Sequence, residues 1–104
     1  MPEAYRQGDV VVKRVPNNLL DFAGARVDKV AIAGETGNAH ILEGFDEARE
    51  HWEPELGGRV FVVRARQVMV LRHPEHPDIE IPPGTWMVYR VREFIVTGVR
   101  GGGD

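Results

Sequence analysis

No long stretch of this chain escapes a glycine, proline, asparagine or aspartate, and between those breaks the residues are those of strands. Valine, isoleucine, threonine and aromatic residues fill the runs 10–15, 27–33, 38–43, 60–66, 68–71, 78–81, 85–92 and 94–99. Branched and aromatic side chains fit a pleated, half-buried surface, and Asp78-Ile79-Glu80-Ile81 alternates with the period of two that one buried face imposes. Turn signals recur about every 8–12 residues, as at Gln7-Gly8-Asp9, Pro16-Asn17-Asn18, Gly57-Gly58 and Pro82-Pro83-Gly84. No segment supplies the crossover helices of a parallel sheet. The pattern predicts an all-β fold, a small barrel or sandwich of about seven strands with at most one short helix. That helix falls on residues 45–52, where propensity is fair. Residues 50–56 read either as its frayed end or as one arm of a hairpin turning at Gly57-Gly58. Leu19-Leu20-Asp21-Phe22, following Asn18, reads as a short helical turn.

The chain has 104 residues, enough to close one hydrophobic core, so residues 1–100 are expected to form one β-rich domain with a disordered tail over 101–104. Trp52, Phe61, Trp86, Phe94 and Tyr5 are expected at or near that core. The imidazoles and guanidinium groups are expected outside it. Cysteine is absent, which removes disulfides, thiolate metal sites and cysteine nucleophiles together. Serine is absent too, so a serine triad is excluded. Gly34-Glu35-Thr36-Gly37 lacks the glycine-and-lysine pattern of a phosphate-cradling loop. There is no apolar run of the roughly 20 residues that span a bilayer and no basic, apolar leader, so a cytoplasmic protein without membrane contact is expected.

Two constellations remain. His73-Pro74-Glu75-His76-Pro77 sets two imidazoles three residues apart around a carboxylate, and His40 lies on a separate strand. Imidazole and carboxylate donors suit a divalent transition metal such as zinc, so His40, His73, His76 and Glu75, with Glu43 as an alternative carboxylate, form a candidate cupin-like site. The second is arginine: Arg64 and Arg66 share one face of their strand, as do Arg90 and Arg92. On neighbouring strands the four would line one surface able to meet a nucleic-acid backbone or an acidic protein. The formal net charge of −3 gives no general pull toward nucleic acid.

Tyr5-Arg6-Gln7-Gly8-Asp9-Val10, Glu35-Thr36-Gly37-Asn38-Ala39-His40, His73-Pro74-Glu75-His76 and the stretch from Ile79-Glu80-Ile81-Pro82-Pro83-Gly84 to Arg92-Glu93-Phe94 occur in that order. In this the chain resembles a family of small uncharacterised proteins of bacteria and their phages. The resemblance implies a second histidine two positions before His40, where this chain has Asn38. Together these readings point to a non-catalytic binding or assembly module without a cofactor, an accessory protein of a phage or other mobile element, acting as a homo-oligomer or with a protein partner. The competing expectations are metal binding through the histidines and nucleic-acid binding through the arginines.

Overall fold

A computed structural model describes residues 3–34, 37–56 and 58–91. Among them the chain is all-β, with ten strands in two antiparallel sheets. The strands are β1 (Ala4–Gln7), β2 (Val10–Arg14), β3 (Arg26–Val27), β4 (Val30–Ala33), β5 (Ala39–Glu43), β6 (Glu47–Glu53), β7 (Gly58–Ala65), β8 (Met69–His73), β9 (His76–Ile81) and β10 (Gly84–Arg90). The larger sheet runs β1-β2-β10-β7-β6-β3 and the smaller β4-β5-β8-β9.

The two sheets face each other across one core. Val10 and Val12, Phe61 and Val63, Trp86 and Val88 enter it from the larger sheet, and Val30, Leu42, Met69, Leu71 and Ile81 from the smaller. On the outer face of the larger sheet Leu20, carried by the 3₁₀ turn Asn17–Phe22, packs on Val60, Val62 and Met87. Strands β7 and β10 are therefore covered on both faces. This explains why Val60-Phe61-Val62-Val63 is a continuous apolar run rather than an alternating one.

Three expectations change. Residues 45–52 are not helical: β6 pairs with β7 along its whole length, Ala48 is fully buried, and Glu47 and Glu50 meet Arg64 and Arg59 across the pair. Cross-strand charge pairing and a buried alanine override the helix propensity of that acidic segment. Residues 27–33 are not one strand, because the chain leaves the larger sheet after Val27 and enters the smaller at Val30. Trp52 is not a core residue: it is 70% exposed and its ring covers Gly58 across the hairpin. The strand read over 94–99, Phe94, and the tail over 101–104 lie outside the described residues.

Candidate functional site

Three hairpins bring their turns to one end of the sandwich. The first is β1–β2, where Gln7 pairs with Val10 and Gly8-Asp9 forms the turn. Gly8 takes a φ of +58°, in the left-handed region that glycine adopts without penalty. The second joins β4 to β5, closed by the Gly34 amide donating to the Asn38 carbonyl at 2.8 Å. The third is β8–β9, in which His73 and His76 are paired partners across Pro74-Glu75. Both imidazoles are thus carried at the base of a tight turn.

The result is a cluster of three imidazoles. Ring centroids are 4.2 Å apart for His40 and His73, 4.8 Å for His73 and His76, and 6.0 Å for His40 and His76. Contrary to expectation, two of the rings are not outside the core: His40 and His73 are buried, and only His76 is exposed. The reason lies in the partners that remove their polar cost. Gln7, itself buried, donates its amide hydrogens to the carbonyls of Leu71, at 3.0 Å, and Pro77, at 2.8 Å. This ties β1 to β8 and β9 and leaves Gln7 Oε1 facing His40 Nδ1 at 3.0 Å. Since Oε1 can only accept, Nδ1 carries the proton. On the other side, His40 Nε2 stands 3.1 Å from Asp9 Oδ1. The second oxygen of Asp9 accepts from Arg90 Nε at 2.8 Å.

That arrangement holds a conflict. With Nδ1 protonated and the ring neutral, Nε2 is a bare lone pair aimed at a carboxylate oxygen. Moving the proton to Nε2 relieves Asp9 but turns a lone pair on Gln7 Oε1. A cation at Nε2, whether a proton or a metal ion, satisfies both contacts. A proton there is resisted: burial, and then His73 beside it, push the His40 pKa below its ordinary value, although Asp9 pulls it back up. His73 has its own fixed state. The Glu75 backbone amide donates to His73 Nδ1 at 3.0 Å, so its proton sits on Nε2.

Glycines make the room. A Cβ on Gly8 would lie 2.8 Å from His76 Nε2 and 3.3 Å from His40 Cε1, and one on Gly34 would lie 3.2 Å from His40 Nε2. A groove of about 180 Å³, lined by Arg6, Gln7, Gly8, His76, Pro77 and Ile79, opens alongside. Among the described residues, no group of three or more histidine, aspartate or glutamate side chains is already arranged as a metal-binding set. The imidazoles lie ring against ring rather than nitrogen to nitrogen.

Of the residues read from sequence, His40, His73 and His76 come together. Glu75 contributes its backbone amide to His73, and Glu43 is on the solvent side of β5, bonded to Arg72. Gln7 and Asp9 were missed. The only available signal was their position beside Gly8 at a turn, which marks a backbone event and not a site. Arg64 and Arg90 do not share a surface. Arg64 pairs with Thr85 in register and Phe61 with Val88, so Arg64 and Arg90 sit toward opposite ends of the two strands. Arg64, Arg66 and Arg90 are engaged by Glu47, Asp46 and Asp9, and Arg92 lies outside the described residues.

In comparison with known proteins, a family model described as Domain of unknown function (DUF8820) matches residues 6–91. No curated protein and no solved structure matches the chain.

Proposed function

The chain belongs to the DUF8820 family, whose description carries no activity, and we propose from its geometry that it is a non-catalytic binding module taking a divalent transition metal ion at the histidine-rich end of the sandwich. The observation that supports this most strongly is the meeting of His40, His73 and His76 from three neighbouring strands, beside the Asp9 carboxylate. Packing three imidazoles together without a cation leaves nitrogen lone pairs and N–H groups imperfectly matched. Neutral imidazole is a ligand for zinc, iron, nickel and copper, and a metal-bound histidine usually donates its other N–H to an oxygen acceptor. His40 has that acceptor in Gln7 Oε1. His76 is exposed at the rim, and closing the set requires its ring to turn toward His40. A cytoplasmic setting, a phage or mobile-element origin and self-association through short edge strands such as β3 or β4 belong to the same reading.

The test is a calorimetric titration of tag-free, chelator-treated protein with zinc chloride. One ion per chain is expected, with the binding lost in His76→Ala, an exposed position whose replacement leaves the core intact. Absence of binding, or binding unaltered in His76→Ala, rejects the reading.

A further inference from the structure

Six strands of one sheet face four of the other, and the smaller sheet stops at β4. The Gly34 amide bonded to the Asn38 carbonyl sets the alternation of the β4–β5 ladder. With Ile32 opposite His40 and Val30 opposite Leu42, the backbone groups of Val30 and Ile32 turn toward β5, and those of Ala31 and Ala33 turn away. Among the described residues nothing pairs with the outward N–H and C=O of Ala31 and Ala33. Ala31 is half-buried and Ala33 exposed, and no charged residue or proline within β4 blunts this edge. Beside it is a cleft of about 210 Å³ lined by Ala31, Ile32, Ala33, Arg59, Phe61 and Arg90. Arg59 shares the inner face of β7 with Phe61 and Val63, and Arg90 that of β10 with Trp86 and Val88. The Arg59 guanidinium lies over the Phe61 ring, 4.8 Å from its centroid. Each arginine is oriented through Nε, Arg59 by Glu50 and Arg90 by Asp9. A guanidinium has five N–H donors, so the terminal nitrogens of both are left for a ligand.

We propose that the free edge of β4 and this cleft take an extended acidic segment of a partner protein, added as a further strand of the smaller sheet. Its backbone pairs with Ala31 and Ala33. Its residue beside Ile32 points inward as Ile32 does, because neighbours across a ladder share a face. A glutamate or aspartate there sets its carboxylate over Phe61 and toward the terminal nitrogens of Arg59 and Arg90, where charge-assisted bonds to a guanidinium are strong. A second copy of this chain does not meet that requirement. Its β4 reads Val-Ala-Ile-Ala and would place an isoleucine over the arginines, leaving both guanidinium groups unmatched. Self-association is then left to β3, the far edge of the larger sheet. The proposal stands apart from the metal reading, since it uses none of the imidazoles; Asp9, which orients Arg90, is the link between the two sites.

The experiment titrates the full chain into a fluorescein-labelled peptide of alternating threonine and glutamate and reads its anisotropy, with an alternating threonine–lysine peptide alongside. Saturable binding of the glutamate peptide alone is expected. Arg59→Glu, at an exposed side chain, is expected to weaken it roughly tenfold or more, the scale of a lost hydrogen bond to a charged group. Ala33→Pro removes an outward N–H without touching the bonds from β4 to β5, and is expected to weaken binding likewise. Where that variant does not fold, Arg59→Glu decides. No binding by the unaltered chain, equal binding of the lysine peptide, or binding unaltered in Arg59→Glu or in a folded Ala33→Pro overturns the proposal. So does an unaltered chain that sediments as a dimer and becomes monomeric in a folded Ala33→Pro, since a second copy then occupies the edge. None of these results bears on the zinc titration, and failure of zinc to bind leaves the acidic-segment site standing.

Discussion

At the scale of single residues, the candidate site depends on a glycine. Gly8 is left-handed, which costs an L side chain about 1–2 kcal/mol, and its missing Cβ is the space over which His76 and His40 meet. Gly8→Ala is therefore expected to destabilise the fold by about 1–2 kcal/mol in urea denaturation and to weaken metal uptake as well. Unchanged stability contradicts the account of the turn. The histidines themselves were legible as candidates, since imidazoles spaced around a carboxylate stand out in any sequence. Their partners were not. A glutamine carries no sign that it will be buried, and an aspartate after a glycine reads as turn chemistry, which Asp9 also performs. Which nitrogen of His73 is available depends on the Glu75 backbone amide, and no side-chain pattern announces it.

At the scale of elements, the clearest lesson is β6. Its residues favour a helix locally, yet β7 offers an unpaired edge with arginines at matching register, and the tertiary environment prevails. Glu47 shows how. The Arg49 guanidinium, with Arg64 and Arg26 nearby, holds its carboxyl below the usual glutamate range. A carboxyl with a depressed folded pKa stabilises above its unfolded pKa, and the contribution disappears as pH falls through the folded value. Glu47→Gln is expected to be less stable than the unaltered chain at pH 7, and the difference is expected to disappear as pH falls through the lowered folded pKa of Glu47. Equal stability at neutral pH contradicts this, and because the pairs are partly open to solvent the effect is small. The two tryptophans separate core from surface. Trp86 is fully buried, donates Nε1–H to the Pro82 carbonyl, and lies against Tyr5 and under Arg14. Trp86→Ala is expected to cost about 3–5 kcal/mol, and Trp52→Ala no more than about 0.5 kcal/mol, both read from denaturation midpoints. Comparable losses contradict the placement of Trp52.

At the scale of the whole molecule, the class was legible and the assembly was not. Short branched runs punctuated by turns specify an all-β sandwich because nothing else buries them. The division of the strands between two sheets is set by where the chain crosses, at 28–29, 44–46, 66–68 and 82–83, and the first of these carries no signature distinct from an ordinary turn. The imidazoles converge because β5, β8 and β9 are neighbours in the smaller sheet, and the division between the sheets is what brings Asp9 to them. His40 is on a strand of the smaller sheet, Asp9 on a turn of the larger, and only the packing of sheet on sheet brings them together. The buried cluster is thus a product of the fold, whose cost the fold alone does not explain, and cation binding is what the account assigns to it. The most direct measurement is the imidazole ¹⁵N–¹H correlation spectrum of the chelator-treated protein at pH 8, repeated with one equivalent of zinc. The account predicts a proton on Nδ1 of His40 and on Nε2 of His73, with zinc shifting Nε2 of His40 and a nitrogen of His76 while His73 keeps its proton. Rings that average freely between tautomers, or a spectrum that zinc leaves unaltered, would contradict it.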